Sequence, residues 1–434
     1  MSRRADEGLI RGIGPLGLTA GVVNAVVGGG IFVLPAAVAG ELGSAGVLAY
    51  VVCGIALLLV TVSFAIAGTR VSKTGGAYAY VETAFGPFVG FVAGVLTWLS
   101  GALASAGLIA ALAGIAAGAD PRLQTPAARI GLVLLIYAGP VAVNLLDIRT
   151  GTRLIIGATA AKLATLLAFL LIATWAVQAS NLHWTAPVDR GHLGRAAILA
   201  FFALAGMEAA IGASGEIREP RRTVPIGLLT GMLLVVGAYI TIHLVAQGVL
   251  GPGLPDSRAP LADAAAVAWP GARSLMLAGM AFSMLGLLTG NLLGSSRILF
   301  AFGRDGILPA SVAMLHPRTR IPYVAVLLHA SIATILAATR TFVKLAILAS
   351  VTNAVLYGMA CAAALVLARG VKEGGLPFPV PVQRALAVLG ACCMLWLVAQ
   401  STLAEFGAIA TTVVVAAGIF AMTRRSRAVH LPAD

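Results

Sequence analysis

The sequence predicts an all-α membrane protein with twelve transmembrane helices. Of its 434 residues, 59% are hydrophobic and only 10% are charged, whereas a soluble protein carries about 25% charged residues. The mean hydropathy is +0.98, and the apolar residues gather into repeated runs. Each run has the length of roughly 20 residues that a helix needs to cross a bilayer. The distribution of basic residues between these runs is the third supporting observation.

The twelve apolar runs follow one another with short connections. They are predicted at 13–38, 44–69, 86–117, 128–146, 152–178, 195–214, 224–250, 273–301, 322–339, 343–368, 384–401 and 404–422. Two groups of five spans occupy 13–178 and 195–368, and two further spans lie in 384–422. Residues 1–12 and 423–434 are predicted as terminal segments outside the membrane.

The basic residues are divided unequally between the two sides of the predicted membrane. With the first residue on the cytoplasmic side, the loops on that side hold 20 of the 29 Lys and Arg residues, and the opposite loops hold eight. Cytoplasmic loops carry an excess of Lys and Arg, so both termini are predicted in the cytoplasm of a multi-pass cell-membrane protein. Because these charges lie in short loops, the net charge of +13 does not indicate a nucleic-acid partner.

Two of the spans are interrupted by small residues. The first carries three consecutive glycines at 28–30, and each Gly costs about 1 kcal/mol relative to Ala inside a helix. The sixth is interrupted at Ala205 and Gly206, next to the acid Glu208. Interrupted helices in corresponding positions of two halves indicate the substrate site of a secondary transporter. The alternative is close helix packing, for which Gly is common in membrane helices.

Four motifs follow one another along the first three quarters of the chain. They are VVGGGIFVLPA, KTGGAYAYVETAFGPFVGFVAG, FFALAGMEAAIGASGEIREPRRTVP and SSRILFAFGRDGILP. Together they resemble the motifs of the amino acid–polyamine–organocation family of permeases, over roughly residues 15–310. Gly29 and Glu219 stand where this family usually has Ser and Asn. The resemblance implies an inverted repeat of five plus five helices like that of the sodium-coupled leucine transporter, with helices 1 and 6 broken, followed by two C-terminal helices.

The breaks suit the two charged groups of an α-amino acid. Amide N–H groups freed at the start of a half-helix attract a carboxylate, and the sequence predicts these donors at Gly28, Gly29, Gly30 and Ile31. The resemblance implies that freed carbonyl groups bind the ammonium, from Ala25 or Val26 in the first span and from Phe202, Ala203 and Ala205 in the sixth. Phe202 also falls where the family has an aromatic gate over the substrate, with ordinary packing as the alternative.

Lys162 lies deep within the fifth span. It follows Gly151 by eleven positions, about 17 Å along a helix, and an unpaired ammonium at this depth costs several kcal/mol. In proton-coupled permeases that the chain resembles, a lysine on this span replaces a sodium ion and contacts carbonyl groups of the first span and a hydroxyl of the eighth. Ser283 is the candidate hydroxyl. Burial disfavours the charged form, so Lys162 is predicted to carry the coupled proton, with a permanently charged strut as the alternative.

Other ionisable residues within the spans are less informative. Glu208 is interpreted either as a proton-coupling acid or as a hydrogen-bonded packing acid, and His243 and His329 are assigned no role. The four cysteines lie in apolar segments without the spacing of metal ligands, and no cofactor is predicted. The expected pocket side chains, including Phe202 and Met207, are apolar or small, which favours neutral amino acids unless Glu208 faces the pocket.

The sequence therefore predicts a sodium-independent, proton-coupled secondary transporter of neutral amino acids and not an enzyme. Its predicted partners are the amino acid, protons and the lipid bilayer, with no obligate protein partner. An amino acid exchanger, including one for cationic substrates, is the main alternative. A channel, a non-transporting sensor, and an intramembrane serine protease using Ser214 and His243 are further alternatives.

Overall fold

The computed structural model describes residues 12–71, 75–146, 148–184, 187–369, 376 and 379–428. Within these residues the chain is helical and contains no β-strand. Its α-helices are α1 (Pro15–Val26), α2 (Leu34–Leu42), α3 (Val47–Gly68), α4 (Ala77–Phe85), α5 (Pro87–Ala119), α6 (Pro126–Leu146), α7 (Ile148–Ala173), α8 (Arg190–Leu204), α9 (Met207–Ala210), α10 (Pro220–Leu250), α11 (Pro260–Ala268), α12 (Ala272–Arg304), α13 (Tyr323–Thr339), α14 (Phe342–Leu367), α15 (Val380–Ala399) and α16 (Leu403–Ala428).

Ten helical segments in the described part of the chain are long and apolar enough to cross a membrane. The first of them, Leu34–Gly68, is formed by α2 and α3 together. Two further apolar helices, α1 and α13, are shorter than the ten segments. The prediction of an all-helical multi-pass membrane protein is thereby confirmed. The terminal segments predicted at 1–12 and 423–434 lie outside the described residues except for residues 12 and 423–428, and α16 extends to Ala428.

The backbone leaves the helical conformation at both predicted interruptions. Helix α1 ends where Val27 adopts a ψ of 89°, and a short 3₁₀ turn, Gly30–Phe32, precedes α2. The second break separates α8 from α9 at Ala205 and Gly206, where Gly206 has a φ of 126°. Only glycine adopts such a φ without strain, so this residue sets the position of the second break.

The broken helices pack against long helices of the other half of the chain. Helix α1 lies along α10, and α8 lies along α3. Two further extensive pairings join α7 to α12 and α5 to α14. The two breaks are therefore enclosed by α3, α5, α7, α10, α12 and α14, and the hydrophobic core runs continuously through these helices.

Two short helices, α4 and α11, were not predicted. Helix α4 follows Gly75 and Gly76, which have φ values of 132° and 56°, and it ends at Gly86 with a φ of 87°. These three glycines bound a helix of nine residues, which is too short to give a clear apolar run. The N–H of Gly75 donates to the carbonyl of Gly212, which joins the second motif to the third; Lys73 and Thr74 of the second motif lie outside the described residues.

Candidate functional site

The first break presents free amide donors. The N–H groups of Gly29, Gly30 and Ile31 donate no hydrogen bond to any described residue, while the Gly28 N–H donates to the hydroxyl of Tyr239 at 3.3 Å. Buried backbone N–H groups are normally paired, so three adjacent free donors mark a place for an external acceptor. They precede α2, whose N-terminal end carries partial positive charge.

The second break contributes side chains to this same place. A Cβ atom placed on Gly30 would lie 3.1 Å from Cδ1 of Phe202 and 3.2 Å from Cα of Ala203. The Phe202 ring meets Phe342 of α14 edge to face, with ring centroids 5.9 Å apart. The structure therefore brings together three of the predicted site residues, with Phe202 lying against the glycine run and against α14.

The surroundings of Gly29 are apolar and close. A Cβ atom on Gly29 would lie 2.5 Å from Cδ2 of Leu108 on α5 and 3.0 Å from Cγ of Met284 on α12. Ser, the usual family residue at this position, would not fit here unless Leu108 moved. The free donors thus lie among hydrocarbon side chains, where hydrogen bonds to a charged group are strong because water is excluded.

The two breaks also touch through their backbones. The carbonyl oxygen of Ala25 would lie 2.9 Å from a Cβ atom on Gly206, so the end of α1 rests on the second break. Ala205 is half-buried at the same level, and its N–H donates to the carbonyl of Phe201 at 2.8 Å. Two of the predicted carbonyl-bearing residues, Ala25 and Ala205, therefore lie on either side of Gly206.

Tyr239 spans the first break from α10. Its buried hydroxyl donates to the carbonyl of Val26 and accepts from the N–H of Gly28, both at 3.3 Å. One hydroxyl thus satisfies a carbonyl and an amide that the unwound turn leaves without helical partners. Val26 and Gly28 were both predicted to bind substrate, and in this structure each is bound by Tyr239.

Lys162 reaches the C-terminal end of α1. Its side chain is only 2% exposed, and Nζ donates to the main-chain oxygen of Asn24 at 2.8 Å and to its Oδ1 at 2.9 Å. The Thr159 hydroxyl lies 2.8 Å from the same Oδ1. An ammonium is favoured at a helix C-terminus by the helix dipole, and charge-assisted hydrogen bonds are stronger than neutral ones. Lys162 therefore has the carbonyl partner on the first span that the resemblance implies.

Ser283 lies level with Lys162 but does not bond to it. Helices α7 and α12 approach closely because Gly279 faces Thr165 and Gly286 faces Ala158, and Ser283 falls midway on this contact face. Its hydroxyl is buried and has no hydrogen-bond partner among the described residues. In this structure the Asn24 side chain provides the second acceptor for Lys162, and the expected contact with Ser283 is not made.

Glu208 is held by α14. Its carboxylate accepts a hydrogen bond from the hydroxyl of Tyr357, and that hydroxyl accepts one from the N–H of Gly206 at 3.0 Å. The Tyr357 ring packs edge to face on Phe64 and Phe201. The carboxylate is thus tied to the second break through Tyr357.

Four side chains at the breaks were not predicted, namely Asn24, Thr159, Tyr239 and Tyr357. Each has a weak signal in the sequence. Asn24 is an amide just before the glycine run, and Thr159 precedes Lys162 by three positions, on the same helix face. Tyr239 and Tyr357 lie in apolar spans, where a buried tyrosine hydroxyl usually finds a partner.

The geometry does not favour the protease alternative. Ser214 precedes the start of α10 at Pro220, whereas His243 lies 23 residues beyond it, about 34 Å along the helix. The His243 ring instead packs on Tyr50, with centroids 4.9 Å apart. Among the described residues, no group of three or more His, Cys, Asp or Glu side chains could hold a metal ion.

Comparison with known proteins identifies relatives along nearly the whole chain. The family described as "Amino acid permease" matches residues 13–426. The branched-chain amino acid permease BcaP of Bacillus subtilis is 26% identical, over 88% of this chain and 87% of its own length. The serine/threonine exchanger SteT of the same organism is 24% identical, over 88% and 89%. The chloroplastic cationic amino acid transporter 9 of Arabidopsis thaliana is 26% identical, over 72% and 58%.

Proposed function

Since the chain belongs to the amino acid permease family, we propose that it is a sodium-independent, proton-coupled transporter that carries neutral amino acids across the cell membrane. The observation that carries this proposal is the set of free N–H groups of Gly29, Gly30 and Ile31 at the first break. They suit the substrate carboxylate, because backbone donors without side chains allow a close approach. The substrate ammonium is then assigned to carbonyl groups of Ala25, Val26, Phe202, Ala203 and Ala205 around the two breaks.

The proposed coupling ion is a proton on Lys162. The ammonium already bonds both oxygens of Asn24 at the end of α1, so the site has an internal cation and needs no metal ion. Ser283 lies on the face of α12 that packs on α7 near Lys162, and its hydroxyl has no partner among the described residues. We assign it as an alternative partner for Nζ of Lys162 in another state of the transport cycle. Glu208 is assigned to link the second break to α14 through Tyr357.

The proposed preference for neutral amino acids rests on the surroundings of the free donors. Leu108, Met284 and Phe202 line this place, and none of them could balance a charged substrate side chain. Glu208 is the acid that lies nearest to Phe202 along the chain, six residues after it. Its carboxylate already accepts a hydrogen bond from Tyr357. Two of the relatives carry names that specify branched-chain amino acids or serine and threonine, which is consistent with a neutral substrate.

We further propose twelve spans arranged as two inverted repeats of five, with α15 and α16 outside the repeat. The helix pairings support this arrangement. If spans 1 to 5 correspond to spans 6 to 10, the pairing of α1 with α10 corresponds to that of α8 with α3. The pairing of α7 with α12 likewise corresponds to that of α14 with α5. Alternating access would then move one repeat relative to the other around the breaks. The excess of Lys and Arg in alternate loops supports an orientation with both termini in the cytoplasm.

Exchange of amino acids is the alternative mechanism, supported by the relative named as a serine/threonine exchanger. Lys162 of α7, which bonds the end of α1, is compatible with both mechanisms, since its ammonium would take the place of a metal ion in either case. The name of the relative from Arabidopsis, a cationic amino acid transporter, keeps cationic substrates within this alternative.

The test is uptake by the purified protein in proteoliposomes with an imposed pH gradient or an imposed sodium gradient. A panel of labelled alanine, leucine, serine and arginine identifies the substrate class. We expect the pH gradient to drive uptake of a neutral amino acid without sodium. Uptake that requires sodium would contradict the proposal, and uptake that occurs only with amino acid inside the vesicles would establish exchange.

Lys162→Ala tests the assigned proton site in the same assay. The variant should insert into the membrane and lose pH-driven uptake, because the end of α1 loses its charge-assisted hydrogen bonds. Lys344→Ala is the matched control, since Lys344 is exposed at the start of α14 and should be dispensable. Unaltered pH-driven uptake by Lys162→Ala would refute the role of Lys162.

A further inference from the structure

A large cavity among the described residues lies away from the helix breaks. It is a groove of about 920 Å³ between α5, α6 and α12. Apolar side chains line most of it, including Leu112, Ile115, Ile136, Leu277 and Leu285. Leu135 is 72% exposed and Phe282 is 40% exposed, and both belong to its wall. Large apolar side chains exposed on a membrane protein face lipid, so the groove opens sideways into the bilayer.

The groove is long enough to hold a lipid chain. Its wall follows α12 from Arg273 to Thr289, which is about 24 Å at the rise of an α-helix. One leaflet of the hydrocarbon core is about 15 Å thick, half of the whole core, so the groove is longer than one leaflet is deep. A fatty acyl chain can therefore lie along the groove with its head group at the end where α12 begins.

That end of the groove carries charge. Asp263 is paired with Arg273, Oδ1 to Nε at 3.0 Å, and it also accepts from the Ser257 hydroxyl. Asp256 and Arg258 border the groove as well, and neither side chain makes an ion pair or hydrogen bond within the described residues. One unpaired carboxylate and one unpaired guanidinium are thus left at the mouth of an apolar channel.

The position of Arg258 is defined by the end of α5. A Cβ atom on Gly118 would lie 3.1 Å from Cδ of Arg258 and 3.2 Å from its Nη1, so the arginine side chain rests on this glycine. A guanidinium held in this way can bind a phosphate with two parallel hydrogen bonds. Asp256, two residues earlier, can accept hydrogen bonds from a primary ammonium.

We propose that this groove binds a phospholipid with an ammonium-bearing head group, such as phosphatidylethanolamine. The acyl chain fills the apolar groove, the phosphate binds Arg258, and the ammonium binds Asp256. The opposite charges of the two side chains select a zwitterionic head group over an anionic one, because an anionic head group would leave the Asp256 carboxylate unpaired beside it.

The test is retention of lipid by the full chain, measured by native mass spectrometry. The purified protein is equilibrated with an equal mixture of phosphatidylethanolamine and phosphatidylglycerol of the same acyl chains. We expect phosphatidylethanolamine to be retained preferentially. Arg258→Gln and Asp256→Asn should each weaken its binding about tenfold, the effect of losing one charge-assisted hydrogen bond. Arg190→Gln, which alters an exposed arginine away from the groove, should retain the lipid like the wild type.

A second pair of variants tests the apolar part of the groove. Gly139 lines it and Gly131 does not, although both lie on α6 and neither has any atom within 4 Å of an added Cβ. Gly139→Leu should reduce retention and Gly131→Leu should not. If Gly139→Leu fails to fold, the proposal is tested by Arg258→Gln and Asp256→Asn alone. Equal retention of both lipids, unchanged retention by the charge variants, or displacement of the lipid by free leucine or serine would overturn the proposal.

Discussion

Replacing Gly206 by alanine adds one methyl group at the point where the two helix breaks meet. Gly206 has a φ of 126°, and its added Cβ would lie 2.9 Å from the carbonyl oxygen of Ala25. The unfavourable φ and the close carbonyl oxygen both involve backbone atoms, which cannot rotate away as a flexible side chain can. Gly206→Ala therefore tests whether the contact between the breaks is required for transport.

The size of the effect follows from two contributions. A residue with a side chain at such a φ costs about 1–3 kcal/mol. The carbonyl of Ala25 must also retreat by about 0.6 Å to reach the optimal separation of non-bonded atoms. This movement displaces the end of α1, including the Asn24 oxygens that bind Lys162. Since about 1.4 kcal/mol corresponds to a factor of ten, the strain alone predicts a loss of roughly 5- to 150-fold in transport-competent protein.

Initial uptake rates in proteoliposomes measure this loss, normalised to the amount of inserted protein. The thermal unfolding temperature of the purified variant separates reduced stability from reduced transport. Gly212→Ala is the matched control, because Gly212 lies six residues later in the same span and has no atom within 4 Å of an added Cβ. We expect Gly206→Ala to lose most uptake and Gly212→Ala to keep it.

Two outcomes would refute the reasoning about Gly206. Uptake by Gly206→Ala within twofold of the wild type would mean that the contact between the breaks is not needed. An equal loss in Gly212→Ala would mean that added methyl groups anywhere in this segment are harmful, so that the particular geometry of Gly206 would explain nothing.

Two further substitutions test other contacts of the breaks. Tyr357→Phe should reduce uptake and lower the unfolding temperature, because it removes the acceptor of the Gly206 N–H and the donor to Glu208, and an unsatisfied buried polar group costs about 1–3 kcal/mol. Tyr50→Phe is its control, since the buried Tyr50 hydroxyl has no partner among the described residues, and equal effects in both variants would contradict the role of Tyr357. Gly30→Ala should weaken substrate binding, measured by the concentration for half-maximal uptake, because its Cβ would meet Cα of Ala203 at 3.2 Å. Gly28→Ala has its nearest obstacle at 3.6 Å and should bind substrate normally; similar affinities for the two variants would contradict the expectation.

The apolar helices could be predicted because the bilayer fixes a minimum length for each span. The breaks could be predicted because glycine weakens a helix wherever it occurs, as the run at 28–30 and Gly206 illustrate. The short helices α4 and α11 could not, because nine residues at a membrane surface need no continuous apolar run. The ends of α4 are set by the positive φ values of Gly76 and Gly86, and backbone dihedral angles cannot be read directly from a sequence.

The polar partners of the breaks depend on contacts between distant parts of the chain. Tyr239 and Gly28 are separated by 211 positions, and a sequence contains no direct record of such a contact. Lys162 illustrates which of its contacts could be predicted from the sequence and which could not. Its depth required a partner on physical grounds, and a carbonyl of the first span is present. Which second oxygen it meets, Asn24 Oδ1 in place of Ser283, depends on side-chain directions that only the packed structure defines.

The two breaks are held by different chemical groups, and this difference has a consequence for motion. In the proposed repeat the fifth span of each half supports the break of that half, with Lys162 bonding α1 and Tyr357 bonding the start of α9. Only the first of these contacts depends on a removable proton at Lys162. Charge-assisted hydrogen bonds are roughly twice as strong as neutral ones, so loss of this proton weakens the hold on α1 and leaves the Gly206–Tyr357 contact unchanged.

We therefore expect α1, and not α9, to be released when the pH is raised. Hydrogen–deuterium exchange, corrected for the intrinsic pH dependence of exchange, should increase in Pro15–Val26 more than in Met207–Ala210. In Lys162→Ala the contact is already absent, so exchange in Pro15–Val26 should be high at every pH. Equal changes in both segments, or the same pH response in wild type and Lys162→Ala, would show that α1 is not held through the proton on Lys162.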